Sequence, residues 1–173
     1  MNHHYSPEAE QAVIGSLLLD NTVWSEVQDR LSFKDFYRRE HQVLFDVISK
    51  KLEQGECIDV LTLSNEVKAI PELKEMNGEI YVLELLSQTY STSNISSYVE
   101  IVKKNAQRRQ FKEILNYLDT HAHEGDLKKL VQQAHTEFAR LELTNLKTDH
   151  GIFSQLFSDI PHQSINWLWP GRI

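Results

Sequence analysis

SPEAEQAVIGSLLLDN, residues 6–21, contains a helix start, a wide apolar face and a stop signal within one short stretch. Ser6 is suited to cap the helix, and Pro7 stands at a first-turn position whose backbone N–H would have no partner. Glu8 and Glu10 place negative charge near the positive end of the helix dipole. The face that the helix would bury comprises Ala9, Ala12, Val13, Ile14, Ser16, Leu17 and Leu18. Because this face is wide, we expect the helix to be the hub on which later helices pack.

Apolar residues at helical spacing recur as far as residue 90, with a capping residue before several of the groups. Asp20 would cap a short helix over residues 22–31, Ser32 and Asp35 would close a brief turn, and Asp59 would cap a further helix. Between these segments, the residues expected to point inward are His41, Leu44, Phe45, Ile48 and Leu52. This part of the chain, residues 1–92, is therefore predicted to be a compact helical body.

Asn77-Gly78 is a turn signal that also allows a β-hairpin. The segment that follows, IYVLELL, is too long for its apolar residues to alternate cleanly, and few of them are β-branched after Val82. We therefore predict a helix after this turn.

Residues 93–143 have the pattern of two long amphipathic helices joined by a short turn, which is an antiparallel helical hairpin. Tyr98, Val99, Val102 and Ala106 form one seam, and a second seam begins after a jump of five residues. Such a hairpin shows broad apolar flanks, and a partner chain or the chain's own first helices would cover them. The residues predicted for an interface between subunits are Phe111, Leu115, Leu118, Leu127, Leu130, Val131, Ala134, Phe138 and Leu141.

Five segments resemble, in their order and spacing, the N-terminal domain of DnaB-type replicative DNA helicases. They are SPEAEQAVIGSLLLDN, LSFKDFYRREHQVLFDVI, IDVLTLSNEV, NGEIYVLELL and NISSYVEIVKKNAQRR, and the likeness covers roughly residues 5–143. The resemblance implies that the hairpin is the dimerisation element of a collar built from pairs of subunits. It also implies that ATP and Mg²⁺ serve a separate C-terminal ATPase domain and that this chain itself holds no cofactor. A primase or a helicase loader is the partner that the resemblance suggests.

Residues 144–173 begin with a polar stretch and differ in sequence pattern from the helices before them. They are predicted to be a linker with a short amphipathic helix. In the resembling family this linker carries a helix that docks on the ATPase domain of a neighbouring subunit, and Phe153, Leu156 and Phe157 stand in the matching place. Packing of this segment on its own domain is the alternative. The final SINWLWPGRI resembles the lead-in to a RecA-like ATPase core of plasmid and phage replication proteins. These residues contain no G-x-x-x-x-G-K-[ST] phosphate loop, so nucleotide hydrolysis is not assigned to this chain.

Net charge indicates the kind of partner, and cysteine content and hydropathy indicate the cellular compartment. The net charge of −7 argues against a surface that mainly holds phosphate backbones, so DNA is expected to be only an indirect partner. The single cysteine, Cys57, fits a reducing compartment, and no apolar run approaches the ~18 residues of a membrane span. A cytoplasmic protein that binds other proteins, and no membrane, is the expectation.

Three other features have a structural and a functional interpretation. Lys104, Arg108 and Lys112, with Lys103 and Arg109 beside them, form a basic row. It would be either a solvated helix face or a docking surface for an acidic partner or passing DNA. His121, His123 and Asp126 have a spacing that resembles a metal-hydrolase motif, but the motif's Asp-His pair is absent, so no metal site is predicted. Cys57 has no basic neighbour in sequence, and a thiol enzyme is not predicted either.

The sequence therefore predicts an all-α chain with a compact helical body followed by a long antiparallel helical hairpin. Its predicted function is noncatalytic: to pair subunits of a DnaB-like replicative helicase, stabilise a ring and offer a surface to primase or a loader. The alternative is a stand-alone adaptor or inhibitor, of phage or plasmid origin, that binds a host replicative helicase.

Overall fold

A computed structural model describes residues 4–74, 77–89, 91–122 and 126–145. Within these ranges every regular element is a helix, which confirms the predicted all-helical fold class. The described residues fall into two compact units that are divided between residues 124 and 125. The α-helices are α1 (Pro7–Leu19), α2 (Arg39–Glu53), α3 (Val60–Lys68), α4 (Pro71–Lys74), α5 (Gly78–Ser87), α6 (Ile95–His121) and α7 (Leu127–Asn145), and short 3-10 helices lie at Asn21–Glu26 and Phe33–Asp35.

Helix α1 is the hub of the first unit, as predicted. The Ser6 hydroxyl caps it by accepting a hydrogen bond from the N–H of Ala9 at 3.3 Å. Val13, Ile14 and Leu17 have no exposed surface. Helices α2, α5 and α6 all pack on α1, so the wide apolar face noted in the sequence is covered by three later helices.

Gly15 allows α5 to approach α1 closely. A Cβ atom at this position would clash with the side chain of Thr89 and would lie 3.1 Å from the carbonyl oxygen of Leu85. The two helices therefore meet at a distance that a larger residue at position 15 would not permit.

The helix predicted over residues 22–31 is a 3-10 helix followed by turns. The Asp20 carboxylate caps it, as expected, by accepting from the N–H and hydroxyl of Thr22 at 2.9 and 2.7 Å. The Asn21 amide donates to the carbonyl oxygens of Leu17 and Ile58 at 2.6 and 2.8 Å. Because Ile58 is distant in sequence, the local pattern did not show this anchor.

Two local predictions farther along are confirmed. The Asp59 carboxylate accepts from the N–H of Thr62 at 2.8 Å and caps α3. Asn77 has a φ of 54°, in the left-handed region, and α5 begins directly after it, so the turn signal leads into a helix and not a hairpin.

The N-terminal half of α6 belongs to the same compact unit as α1. Ile95, Val99, Val102 and Ala106 are buried, and α6 packs on α1 and on the segments at 21–26 and 33–35. The sequence-based boundary between residues 92 and 93 therefore falls inside this unit, because the first seam of α6 is covered by the body itself.

The second unit is described through α7, which runs from Leu127 to Asn145. The two long helices predicted from the periodicity are thus present. Their antiparallel pairing into a hairpin stays a prediction.

Candidate oligomerisation and docking surface

A buried polar cluster ties the helices of the first unit together. Glu10 and His41 are 1% and 0% exposed, and the Oε2 atom of Glu10 lies 2.6 Å from Nδ1 of His41. The other ring nitrogen of His41 lies 2.5 Å from the Tyr81 hydroxyl. Glu10 also accepts from the backbone N–H of Tyr37 at 2.7 Å and of Arg38 at 3.3 Å. Burial raises the pKa of Tyr81 above its ordinary value.

The role of this cluster was not predicted. From sequence, Glu10 is expected only to interact with the helix dipole, and His41 only to point inward with its apolar neighbours. A glutamate at an apolar position of α1, with a histidine at an inward position of α2, was the available signal, because buried charges need partners.

Two residues of the predicted basic row, Lys103 and Arg109, make buried contacts with the body. Asp35 is 3% exposed, and its carboxylate accepts from the Lys103 ammonium at 3.2 Å. Arg109 donates to the carbonyl oxygens of His4 and Asp35 at 2.9 and 2.5 Å, and its guanidinium lies over the Tyr37 ring at 5.6 Å. Burial lowers the pKa of Arg109 from its ordinary value. Lys103 and Arg109 therefore attach α6 to the body and do not belong to a solvated face.

The remaining cations of the row, Lys104, Arg108 and Lys112, are exposed. Lys104 makes an ion pair with Glu100 at 2.7 Å, one turn away on α6. Within the described part of the chain, Arg108 and Lys112 take part in no ion pair. Two free cations on one side of the helix are available to an acidic group of another molecule.

The C-terminal half of α6 exposes large apolar side chains. Phe111 and Leu115 are 47% and 45% exposed, whereas Ile114 and Leu118 are half-buried. Counting 100° per residue, the centre of this group lies about 140° around the helix from the seam buried on the body. This apolar face therefore cannot be a continuation of the seam that α1 covers.

Between Leu127 and Leu141, the apolar residues predicted for the interface lie on one face of helix α7. Leu127 and Val131 are 68% and 51% exposed. The remaining predicted interface residues on this helix, Leu130, Ala134, Phe138 and Leu141, are half-buried. The sequence-predicted interface thus contains four strongly exposed apolar side chains, two on each of the last two helices.

Helix α5 has an exposed apolar pair that the sequence analysis did not single out. Ile80 and Leu83 are 57% and 56% exposed, although Val82 and Leu85 on the other side of the helix are buried. The run IYVLELL was itself the signal, because a surface helix that is apolar on both sides has more apolar area than one core can cover.

Cys57 lies at a pocket of about 330 Å³. Both carboxylates at this pocket already cap helices: hydrogen bonds from Thr22 lower the pKa of Asp20, and hydrogen bonds from Thr62 lower the pKa of Asp59.

Across residues 4–74, 77–89, 91–122 and 126–145, no three His, Cys, Asp or Glu side chains are placed to hold a metal ion. No described helix is long and apolar enough to cross a membrane.

Some residues singled out in the sequence lie outside the described residues. They are His123, the linker residues Phe153, Leu156 and Phe157, and the ending SINWLWPGRI. Predictions about them stay predictions.

Comparisons with known proteins agree with the fold. The family model "DnaB-like helicase N terminal domain" matches residues 2–104. The replicative DNA helicase DnaB of Buchnera aphidicola is 34% identical over 111 residues, which are 64% of this chain and 24% of the relative. The chain spans about a quarter of the length of this relative.

Two solved structures are also similar. The N-terminal domain of DnaB helicase from Mycobacterium tuberculosis has a TM-score of 0.75 at 28% identity, covering 81% of this chain and 99% of that one. A DnaB-like replicative helicase, described with its interactions with primase, has a TM-score of 0.64 at 19% identity, covering 84% of this chain and 36% of that one. The second likeness shows the fold alone. From the family match over more than half of its length, the chain belongs to the DnaB-like helicase N-terminal domain family.

Proposed function

We propose that this chain is the oligomerisation and partner-docking domain of a DnaB-like replicative helicase. The ATP-dependent unwinding, with its ATP and Mg²⁺, would be carried out by a C-terminal ATPase domain, and this domain would be noncatalytic. The family match and the relative named as a replicative DNA helicase support this proposal. Its site of action would be the cytoplasm.

One observation carries the oligomerisation role: the apolar face of α6 that begins at Phe111 points away from the seam buried on the body. A surface of exposed Phe and Leu side chains is typical of protein–protein contact. A second copy of the chain is the partner that we propose, because most soluble oligomers are built from identical subunits. The exposed residues of α7 would contribute to the same assembly.

The energy available from these side chains sets the expected strength. Fully burying one such side chain is worth about 1.5–3 kcal/mol, so side chains that are half exposed gain roughly 1 kcal/mol each. Four per copy would give a pair of chains about 8 kcal/mol, against an association cost of about 4–15 kcal/mol. We therefore expect a dimer whose population depends on protein concentration.

A primase or a helicase loader is the further partner that we propose. The support is the solved DnaB-like helicase, whose description reports interactions with primase. The exposed cations Arg108 and Lys112 would be available for an acidic surface of such a partner.

Sedimentation velocity of four variants tests the proposed dimer. Leu115→Glu and Val131→Glu each place a charge in the proposed interface and should weaken dimerisation at least about tenfold, since a buried unpaired carboxylate is costly. Asn116→Glu and Gln132→Glu change the neighbouring exposed residues and should leave the dimer intact. Circular dichroism should show unchanged helix content in all four variants. Equal masses for all four, at concentrations where the unmodified chain is dimeric, would contradict the proposal.

The reading frame beyond Ile173 offers a separate test of the helicase parentage. A phosphate-loop motif in that frame would support it. If that frame has no phosphate-loop motif and the protein binds a complete DnaB-type helicase, the adaptor alternative would be supported.

A further inference from the structure

The pocket beside Cys57, about 330 Å³ in volume, lies where the end of α1 meets the segment that leads into α3. Leu18 and Ile58, both buried, line this pocket, and so does Leu19, which is 49% exposed. Leu61, which precedes a lining residue of α3 in the sequence, is 72% exposed. The pocket therefore has an apolar floor, and two exposed leucines stand at it and next to it.

The Asn21 side chain joins the two walls of this pocket. Its amide group donates to the carbonyl oxygens of Leu17 and Ile58, and its Oδ1 atom accepts from the N–H of Ile58 at 2.9 Å. These bonds fix the end of α1 to the segment before α3, so the pocket exists without a ligand. A preformed site avoids the entropy cost of ordering a flexible one.

Two carboxylates give the pocket a negative charge. Asp20 and Asp59 line it, and the Oδ1 atom of each accepts the capping hydrogen bonds from Thr22 and Thr62. These bonds lower the pKa of both carboxyl groups, so both are ionised at neutral pH. Neither aspartate forms an ion pair with a cation in the described part of the chain. The Oδ2 atom of each is the oxygen that a ligand can use.

A cationic side chain with apolar atoms suits this combination of groups. The guanidinium of an arginine presents several N–H donors in one plane, which fits a carboxylate, and its aliphatic stem packs on apolar surface. A branched apolar residue next to such an arginine would cover Leu19 or Leu61. An inorganic cation would use the carboxylates alone and would leave both leucines exposed.

We propose that this pocket binds a short segment of another protein in which arginine alternates with a branched apolar residue. A volume of about 330 Å³ is small for a ligand site, so the pocket accommodates one or two side chains. It attracts the opposite charge from the surface that contains Arg108 and Lys112, and it is therefore a separate docking site. A separate protein is the proposed source, because the chain's own Arg172 stands in the ending that resembles the lead-in to an ATPase core.

A nuclear magnetic resonance titration of the isotope-labelled chain with the peptide acetyl-Leu-Arg-Leu-Arg-amide tests the pocket. The peptide should shift the backbone amide signals of residues 18–21 and 57–62 until saturation. We expect a dissociation constant on the order of 1 mM, since exposed ion pairs each contribute little. Asp20→Asn/Asp59→Asn should weaken binding about threefold or more, because the charges are lost. Asparagine caps a helix as well as aspartate does, so this variant should keep its fold.

A matched peptide and a matched variant are the controls. Acetyl-Leu-Gln-Leu-Gln-amide lacks the cations and should bind at least about threefold more weakly. Asp29→Asn/Asp119→Asn removes two exposed charges that do not line the pocket, so this variant should bind the arginine peptide like the unmodified chain. Equal binding of the two peptides, equal losses in the two aspartate variants, or shifts confined to residues outside the pocket would each overturn the inference.

Two further measurements distinguish the other possible occupants. A rise in peptide affinity on Arg172→Gln would show that the chain's own ending competes for the pocket. A smaller mass of Asp20→Asn/Asp59→Asn in sedimentation velocity, without peptide, would assign the pocket to a second copy. Either result would refute the choice of a separate protein. Leu115→Glu and Val131→Glu should bind the peptide normally, so this inference and the proposed dimer can fail independently.

Discussion

Replacing Glu10 with alanine should strongly destabilise the first unit, although Glu10 looks like a surface residue of a first helical turn. The change removes the acceptor from the N–H groups of Tyr37 and Arg38 and from the ring nitrogen of His41, all at a fully buried position. An unsatisfied buried donor costs about 1–3 kcal/mol. The 3.3 Å bond to Arg38 is the weakest of the three, so we expect a loss of about 3–5 kcal/mol.

The assay is urea unfolding followed by far-ultraviolet circular dichroism. Glu8→Ala is the matched control, because Glu8 lies in the same helical turn but is exposed. It should cost no more than about 1 kcal/mol, the value of a first-turn charge on the helix dipole. Glu10→Gln keeps an oxygen acceptor for the backbone donors and should fall between the two.

Small domains usually have a free energy of unfolding of about 5–15 kcal/mol. The Glu10→Ala variant should therefore still fold, and its unfolding should be measurable, over most of that range. Glu10→Gln keeps the comparison informative if the alanine variant does not fold. Free energies of unfolding for Glu10→Ala and Glu8→Ala within about 0.5 kcal/mol of each other would refute the reasoning, since that is the usual size of a surface effect.

Two further predictions concern α5. Gly15→Ala should destabilise the fold by about 1–3 kcal/mol in thermal or urea unfolding, because the added methyl group overpacks against Thr89. In a Thr89→Gly background the loss should be smaller but not absent, because the Leu85 carbonyl oxygen still lies 3.1 Å from the added atom; an equal loss in both backgrounds would contradict the proposed clash. Tyr81 keeps its proton to a higher pH when folded than when unfolded, because burial raises its pKa. Its contribution is therefore fully present below about pH 10 and is lost as pH rises through the folded pKa. Tyr81→Phe should flatten that alkaline decline, and parallel pH curves for the two proteins would count against it.

Features that depend on neighbours in sequence were predictable. Ser6, Asp20 and Asp59 cap the segments that follow them, as expected, because an N-cap bond spans only two or three residues. The helix after Asn77 was also predictable, since length and composition argued against a strand. For the same reason the two long helices were visible from their periodicity.

Features that depend on distant residues were not. Glu10 and His41 are 31 positions apart, and Lys103 and Asp35 are 68 apart. From sequence alone, Glu10 and Lys103 look like ordinary surface charges and Asp35 like a turn-closing residue. His41 was expected to point inward, but its polar partner could not be identified. Lys103 and Lys104 are adjacent in sequence and appeared to share one basic row, yet one is bound to a buried carboxylate and the other is exposed.

The amino-acid sequence by itself determined that this chain is helical, where its caps stand and which family it resembles, because hydrogen bonds within a helix and its caps join residues close in sequence. Tertiary structure alone decided which charges are buried and which apolar faces remain open. The reason is that α6 can bury only one side on α1: the seam ending at Ala106 is covered, and the face that begins at Phe111 is turned outward.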